Sequence, residues 1–96
     1  MNSFHQIPLE AITLYRRSLE MSGKGNHELA LKNLSTAVTL APNFALAYCE
    51  MGMCYEKLGR FPEALLKYDK VLQIYPLHVE AEMKRNRIFE KMGRKK

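Results

Sequence analysis

From Ala45 to Leu58 the apolar residues Tyr48, Met51, Tyr55 and Leu58 recur at i, i+3, i+7 and i+10, the stripe of one helix face. Gly59 closes this stretch and Pro62 suits the first turn of a following helix. Ala64, Leu65, Tyr68, Val71, Leu72 and Ile74 then mark a second amphipathic face, which stops before Pro76. An earlier pair follows the same plan: a helix from Ala11 to about Ser22, a Gly-Lys-Gly-Asn turn, and a helix from His27 to Leu40. A fifth helix starts at about His78. No alternation of period two is long enough for a strand, so the pattern predicts an all-α chain of five helices.

The same pattern repeats at a larger scale. Pro8, Pro42 and Pro76 are each 34 residues apart, and Gly25, Gly59 and Gly93 keep that period. So do Ala11 and Ala45, Ala30 and Ala64, and Leu31 and Leu65. Several spacings sharing one period make a repeat. Gly52 and Ser18 are expected to let the two helices of a unit approach closely, with Ala64 and Ala30 facing that contact. A bulky residue there would overpack the crossing by ~1–3 kcal/mol.

A 34-residue helix-turn-helix with this spacing resembles the tetratricopeptide repeat. Unit 45–78 has Tyr48 where the family often has Trp, then Met51, Gly52, Tyr55, Gly59, Ala64, Tyr68 and Pro76 at the signature places. Unit 11–44 fits at Leu14, Ser18, Gly25, Ala30, Leu34, Ala37 and Pro42, while Arg17 and Met21 replace the usual Leu and Tyr. The resemblance implies one domain over residues 1–96, its helix-turn-helix units stacked as a short right-handed superhelix (an α-solenoid). In the last segment, 79–96, the places of Tyr48, Met51 and Gly52 fall to Glu82, Arg85 and Asn86. That polarity suits a capping helix with a wet outer face, while Ala81, Ile88, Phe89 and Met92 pack backward.

Composition narrows the function classes. At 96 residues and 47% hydrophobic, the chain can fold around a single modest core. It has no apolar run of ~18 residues to span a membrane, and MNSFHQIPLE lacks the regions of a secretory signal. Two cysteines without such a signal suit a reducing, cytoplasmic setting. The net charge of +5 is concentrated between Lys84 and Lys96, read as a solvated helix end whose cations oppose the C-terminal dipole. Without a recognised module, this charge argues against nucleic acid as the partner.

Chemistry was sought in Cys49, Met51, Met53 and Cys54, a set of soft sulfur ligands. Five residues of helix turn through about 140° net, so the two thiols face different ways and cannot share an ion. Met51 belongs to the core stripe, and Cys54 is expected to act as a small packing residue. His5, His27 and His78 lack paired-ligand spacing, and His27 is expected to pack a turn. Acids are expected in helical ion pairs, Glu63 with Lys67 and Glu80 with Lys84. With no catalytic or phosphate-binding motif, the reading is of a protein that needs no cofactor and is not an enzyme.

Function is then expected on the surface the units build. The resemblance implies a concave wall made by the first helix of each unit, and here that wall offers Ile12, Tyr15, Leu19, Leu46, Cys49, Met53, Glu80, Met83 and Arg87. The family's carboxylate clamp for chaperone C-termini maps to Tyr15, Leu19, Glu50, Glu80 and Lys84, where only Lys84 keeps the required charge. That leaves a protein or peptide partner, an apolar or amphipathic segment held in the groove. Homo-oligomeric assembly through the same wall is the alternative, and Phe4 with Ile7 is a candidate lid.

Overall fold

The computed structural model describes residues 7–93 of the 96-residue chain. Among them lie five helices and no strand: α1 Leu9–Gly23, α2 His27–Leu40, α3 Ala45–Lys57, α4 Phe61–Ile74 and α5 Val79–Lys91. Helix α1 starts earlier than the apolar stripe indicated. Pro8 stands at its N-cap, and its carbonyl accepts the N–H groups of Ala11 at 3.0 Å and Ile12 at 3.2 Å. Proline loses nothing there, because the first N–H groups of a helix have no partner within it. His78 caps α5 rather than opening it, its Nδ1 accepting from the Ala81 N–H at 3.1 Å.

The glycine period has a direct backbone cause. Gly25, Gly59 and Gly93 all have positive φ, between 75° and 87°, where a side chain would be strained. After α1 and α3 the chain then doubles back. The Asn26 N–H donates to the Met21 carbonyl and the Arg60 N–H to that of Tyr55, both at 2.8 Å. These bonds occupy carbonyls that the helix end leaves open.

Each helix packs on the next in order, and α1 also touches α3. The principal extents are 44 × 32 × 16 Å. Helix axes pack 8–10 Å apart, so the short dimension is one pair of helix layers. The core between them holds Ala30, Leu34, Ala37, Ala64, Tyr68, Val71, Ala81 and Ile88, all fully buried. Met51 joins it from the apolar stripe, and Cys54 joins it as the small packing residue expected.

At Gly52 the approach of α4 is closer than any side chain permits. A Cβ there would lie 2.7 Å from Cε1 and Cζ of Tyr68. The atoms nearest Gly52 are thus the Tyr68 ring rather than Ala64, which corrects the expected pairing. One period earlier the same two positions are Ser18 and Leu34, both fully buried. There the shorter Leu leaves room for a hydroxymethyl group, and Ser18 Oγ donates to the Tyr15 carbonyl at 2.6 Å.

The outer face of α5 is polar, with Glu82 and Asn86 exposed, while Ala81 and Ile88 are buried beneath it. The basic segment is not simply solvated, however. Arg85 pairs with Asp69 of α4 at 3.4 Å, and Arg87 and Lys91 both reach Glu56 of α3. Arg94, Lys95 and Lys96 lie outside the described residues, as do Phe4 and His5. No helix among the described residues is long and apolar enough to cross a membrane.

Candidate peptide-binding groove

The positions proposed for the concave wall repeat with the 34-residue period: Ile12, Leu46 and Glu80; Tyr15, Cys49 and Met83; Leu19, Met53 and Arg87. Each helix therefore presents a strip at i, i+3 and i+7, one face of two turns. Helices α1 and α3 touch, and charges act across the three strips. Burial raises the pKa of the Tyr15 hydroxyl, and the charges of Glu50 and Cys49 on α3 add to the rise. Burial also pushes the Cys49 thiol up to about 11, with Glu80 of α5 raising it further and Lys84 opposing. Tyr15, Cys49, Glu80 and Lys84 are thus near enough to influence one another across α1, α3 and α5.

Exposure divides the nine residues. Leu46 and Met83 stand 58% and 65% exposed, and Leu19, Glu80 and Arg87 are exposed as well. Ile12, Tyr15 and Met53 are half-buried against the core. Tyr15 is further held by Phe44, ring centroids 5.2 Å apart. Cys49 is the departure, only 8% exposed and part of the core cluster. It makes the floor of the wall rather than a contact surface. Ile7 does not lie over the wall: it borders a hollow with Asn43, Lys70, Gln73, Ile74 and Tyr75 at the far end of α4.

Sequence reasoning missed the polar centre of the groove. Glu56, its side chain 10% exposed, accepts from Arg87 Nη2 at 3.2 Å and Lys91 Nζ at 3.3 Å, while the Tyr68 hydroxyl donates to its other oxygen at 3.1 Å. Burial pushes the Glu56 carboxyl up, but the hydrogen bonds from Arg87, Tyr68 and Lys91 and the charge of Arg87 bring it below its ordinary value. Beside this knot is a cavity of about 280 Å³ lined by Met53, Glu56, Lys57, Lys84, Arg87 and Lys91. Glu56 lies three residues beyond Met53 on the same strip, which is the signal that could have placed it in the groove.

The remaining candidate chemistry resolves into packing. Both cysteines are free and buried, and burial raises the Cys54 thiol too, against a contact from Cys54 Sγ to Ser22 Oγ at 3.8 Å. Among the described residues no three His, Cys, Asp or Glu side chains gather as a metal site. Ser22 Oγ is also 3.1 Å from His27 Nδ1, tying the end of α1 to the start of α2 across the turn. Glu80 pairs with Lys84 at 3.9 Å as expected, but Glu63 pairs with Arg60 at 3.3 Å instead of Lys67, which sits 6.0 Å over the Tyr48 ring.

Residues 45–77 match the family model of the tetratricopeptide repeat, so the second helix pair is a repeat of that kind. The whole five-helix arrangement is similar to solved structures of MamA. One crystal structure of MamA superimposes with a TM-score of 0.87 at 24% identity, covering 88% of this chain and 50% of that one. A MamA double mutant gives 0.86 at 24% identity over 91% of this chain and 49% of that one. This chain therefore spans about half the length of these MamA chains. At that identity the likeness speaks for the fold alone, an array of stacked helix pairs.

Proposed function

We propose that the protein is an interaction module whose concave wall binds an apolar or amphipathic peptide segment. The observation that carries this is the run of solvent-open apolar side chains Leu19, Leu46 and Met83 beside half-buried Ile12, Tyr15 and Met53. Contiguous exposed apolar surface marks interaction sites. Met53 and Met83 give adaptable rather than exacting recognition, since thioethers repack easily. Each well-buried anchor supplies ~1.5–3 kcal/mol, but immobilisation and ordering offset much of the sum. Affinity in the micromolar range, ~8 kcal/mol, is the expected result.

The test is a selection of displayed random 12-residue peptides on the wild-type protein, followed by affinity measurement on Leu19→Glu combined with Met53→Glu. Both positions are at least partly open, so helicity should persist while peptide affinity falls at least tenfold. Undiminished binding in a helical double variant removes the groove as the site. The same open surface would suit a second copy of the chain, and sedimentation over a wide concentration range separates the two: a concentration-dependent dimer abolished by the double variant favours assembly.

A further inference from the structure

The polar cavity at one end of the wall narrows the chemistry of the partner, and this step rests on the groove reading above. Four cations, Lys57, Lys84, Arg87 and Lys91, border the cavity with one carboxylate, Glu56. Glu56 accepts from two of them, and Lys84 is 3.9 Å from Glu80, a long contact for an ion pair. Lys57 forms no ion pair among the described residues. Glu56, Glu80 and half-buried Glu50, whose charge also acts on Lys84, offset these four cations only in part, so positive charge stays open to solvent beside the apolar side chain of Met53. We infer that this cavity receives acidic side chains of the bound peptide, so that the partner is an amphipathic segment with Asp or Glu next to its apolar anchors.

Several features argue for that occupant. Arg87 and Lys91 are already held by Glu56, yet their side chains remain 49% and 47% exposed. Their charges are thus oriented before any partner arrives, and donors left over after the Glu56 bonds can serve a second acceptor. The open charge sits on separate exposed side chains, Lys57, Arg87 and Lys91, which acidic side chains spaced along a segment can meet one at a time. Of the clamp positions that tetratricopeptide domains use for chaperone C-termini, only Lys84 borders this cavity. A nucleic acid is the poorer fit, because the lining offers no aromatic ring on which a base could stack.

The experiment compares peptides selected on the wild type with those selected on Lys57→Glu and on Arg87→Gln. Lys57 is exposed and unpaired, so its reversal should leave the fold intact; Arg87→Gln leaves Lys91 on Glu56 and serves as the second variant. Wild-type peptides should carry Asp or Glu beside their apolar anchors. Each neutralised cation should weaken them about threefold, and added salt should weaken them further. Peptides selected on Lys57→Glu should lose the acids. Apolar peptides without acidic enrichment on the wild type overturn this inference and leave the groove reading standing. If no peptide is selected on the folded protein, both fall. Binding of oligouridylate, lost in Lys57→Glu, with no acidic enrichment, would assign the cations to phosphate instead.

Discussion

Gly52→Ala offers a sharp test of the packing, because elsewhere in a helix the same change stabilises. Replacing glycine by alanine in a helix interior gains ~0.5–1 kcal/mol from reduced backbone freedom. Here the new methyl would lie 2.7 Å from two ring carbons of Tyr68, a contact that real Cβ atoms essentially never make. The ring cannot retreat cheaply. It is fully buried, and its hydroxyl is held by Glu56 at 3.1 Å. Overpacking of this kind costs ~1–3 kcal/mol, and straining a hydrogen bond to a charged group, worth ~1.5–3 kcal/mol, adds part of its value. The balance is a net loss of ~1–2 kcal/mol, or roughly 4–16 °C in Tm for a domain of this size. Chemical denaturation of the single variant, of Tyr68→Leu, and of the double variant measures it. In the Tyr68→Leu background the obstruction is gone, as it is at Ser18 and Leu34 one period earlier, so Gly52→Ala should become neutral or stabilising. An equal loss in both backgrounds, or none in the first, refutes the reasoning.

Three further outcomes are expected. The pKa of Glu56 is depressed in the fold, so its contribution is complete above the ordinary value of about 4.5 and is lost as the pH falls through the folded value. Urea titrations should accordingly show a flatter acid limb for Glu56→Gln than for wild type; parallel limbs would count against the buried knot. Glu50 behaves oppositely. Burial raises its pKa against the pull of His27 and Lys84, so its favourable neutral form is complete below the ordinary value and is lost as pH rises through the folded one. Glu50→Gln should thus stabilise at pH 7 and gain little at pH 4, and destabilisation at pH 7 would show that His27 and Lys84 outweigh burial. Finally, with Cys49 raised to about 11 and Cys54 raised as well, native thiols should react with an aromatic disulfide reagent only as fast as the protein opens. Rapid stoichiometric reaction at pH 7 in the folded state would contradict their burial.

The helices and their period were legible because the signals are local. A glycine at positive φ ends a first helix wherever it occurs, and a proline blocks continuation whatever surrounds it. Gly25, Gly59 and the prolines 34 residues apart therefore carried the repeat into the structure. The strips proposed for the wall rest on the same local register, as one face of two helical turns. What escaped depends on which helices become neighbours. Glu56 meets Arg87 and Lys91 across 31 and 35 residues, and only the side-by-side placement of α3 and α5 brings them together. Cys49 was assigned to the open wall by its register, but its burial is set by tertiary packing. Glu63 had a cation within reach on either side, at i−3 and i+4. The choice of Arg60 leaves Lys67 over the Tyr48 ring, which sequence spacing alone does not reveal.

The knot at Glu56 also bears on the order in which the molecule comes apart. Helix α5 is the last of the described helices, packs chiefly on α4, and fully buries only Ala81 and Ile88. Its attachment relies more on polar ties: Arg87 and Lys91 to α3, and Arg85 to Asp69 of α4. Apolar layers strengthen or ignore added salt, while exposed ion pairs weaken with it and with protonation of the carboxylate. The last helix is therefore expected to come away first under mild acid and moderate salt, while the first four remain folded. Amides of α5 would exchange with deuterium ahead of those in α2 and α4, and the gap would widen on acidification. Since α5 carries Glu80, Met83 and Arg87 of the proposed groove, conditions that loosen it should weaken peptide binding well before the protein unfolds.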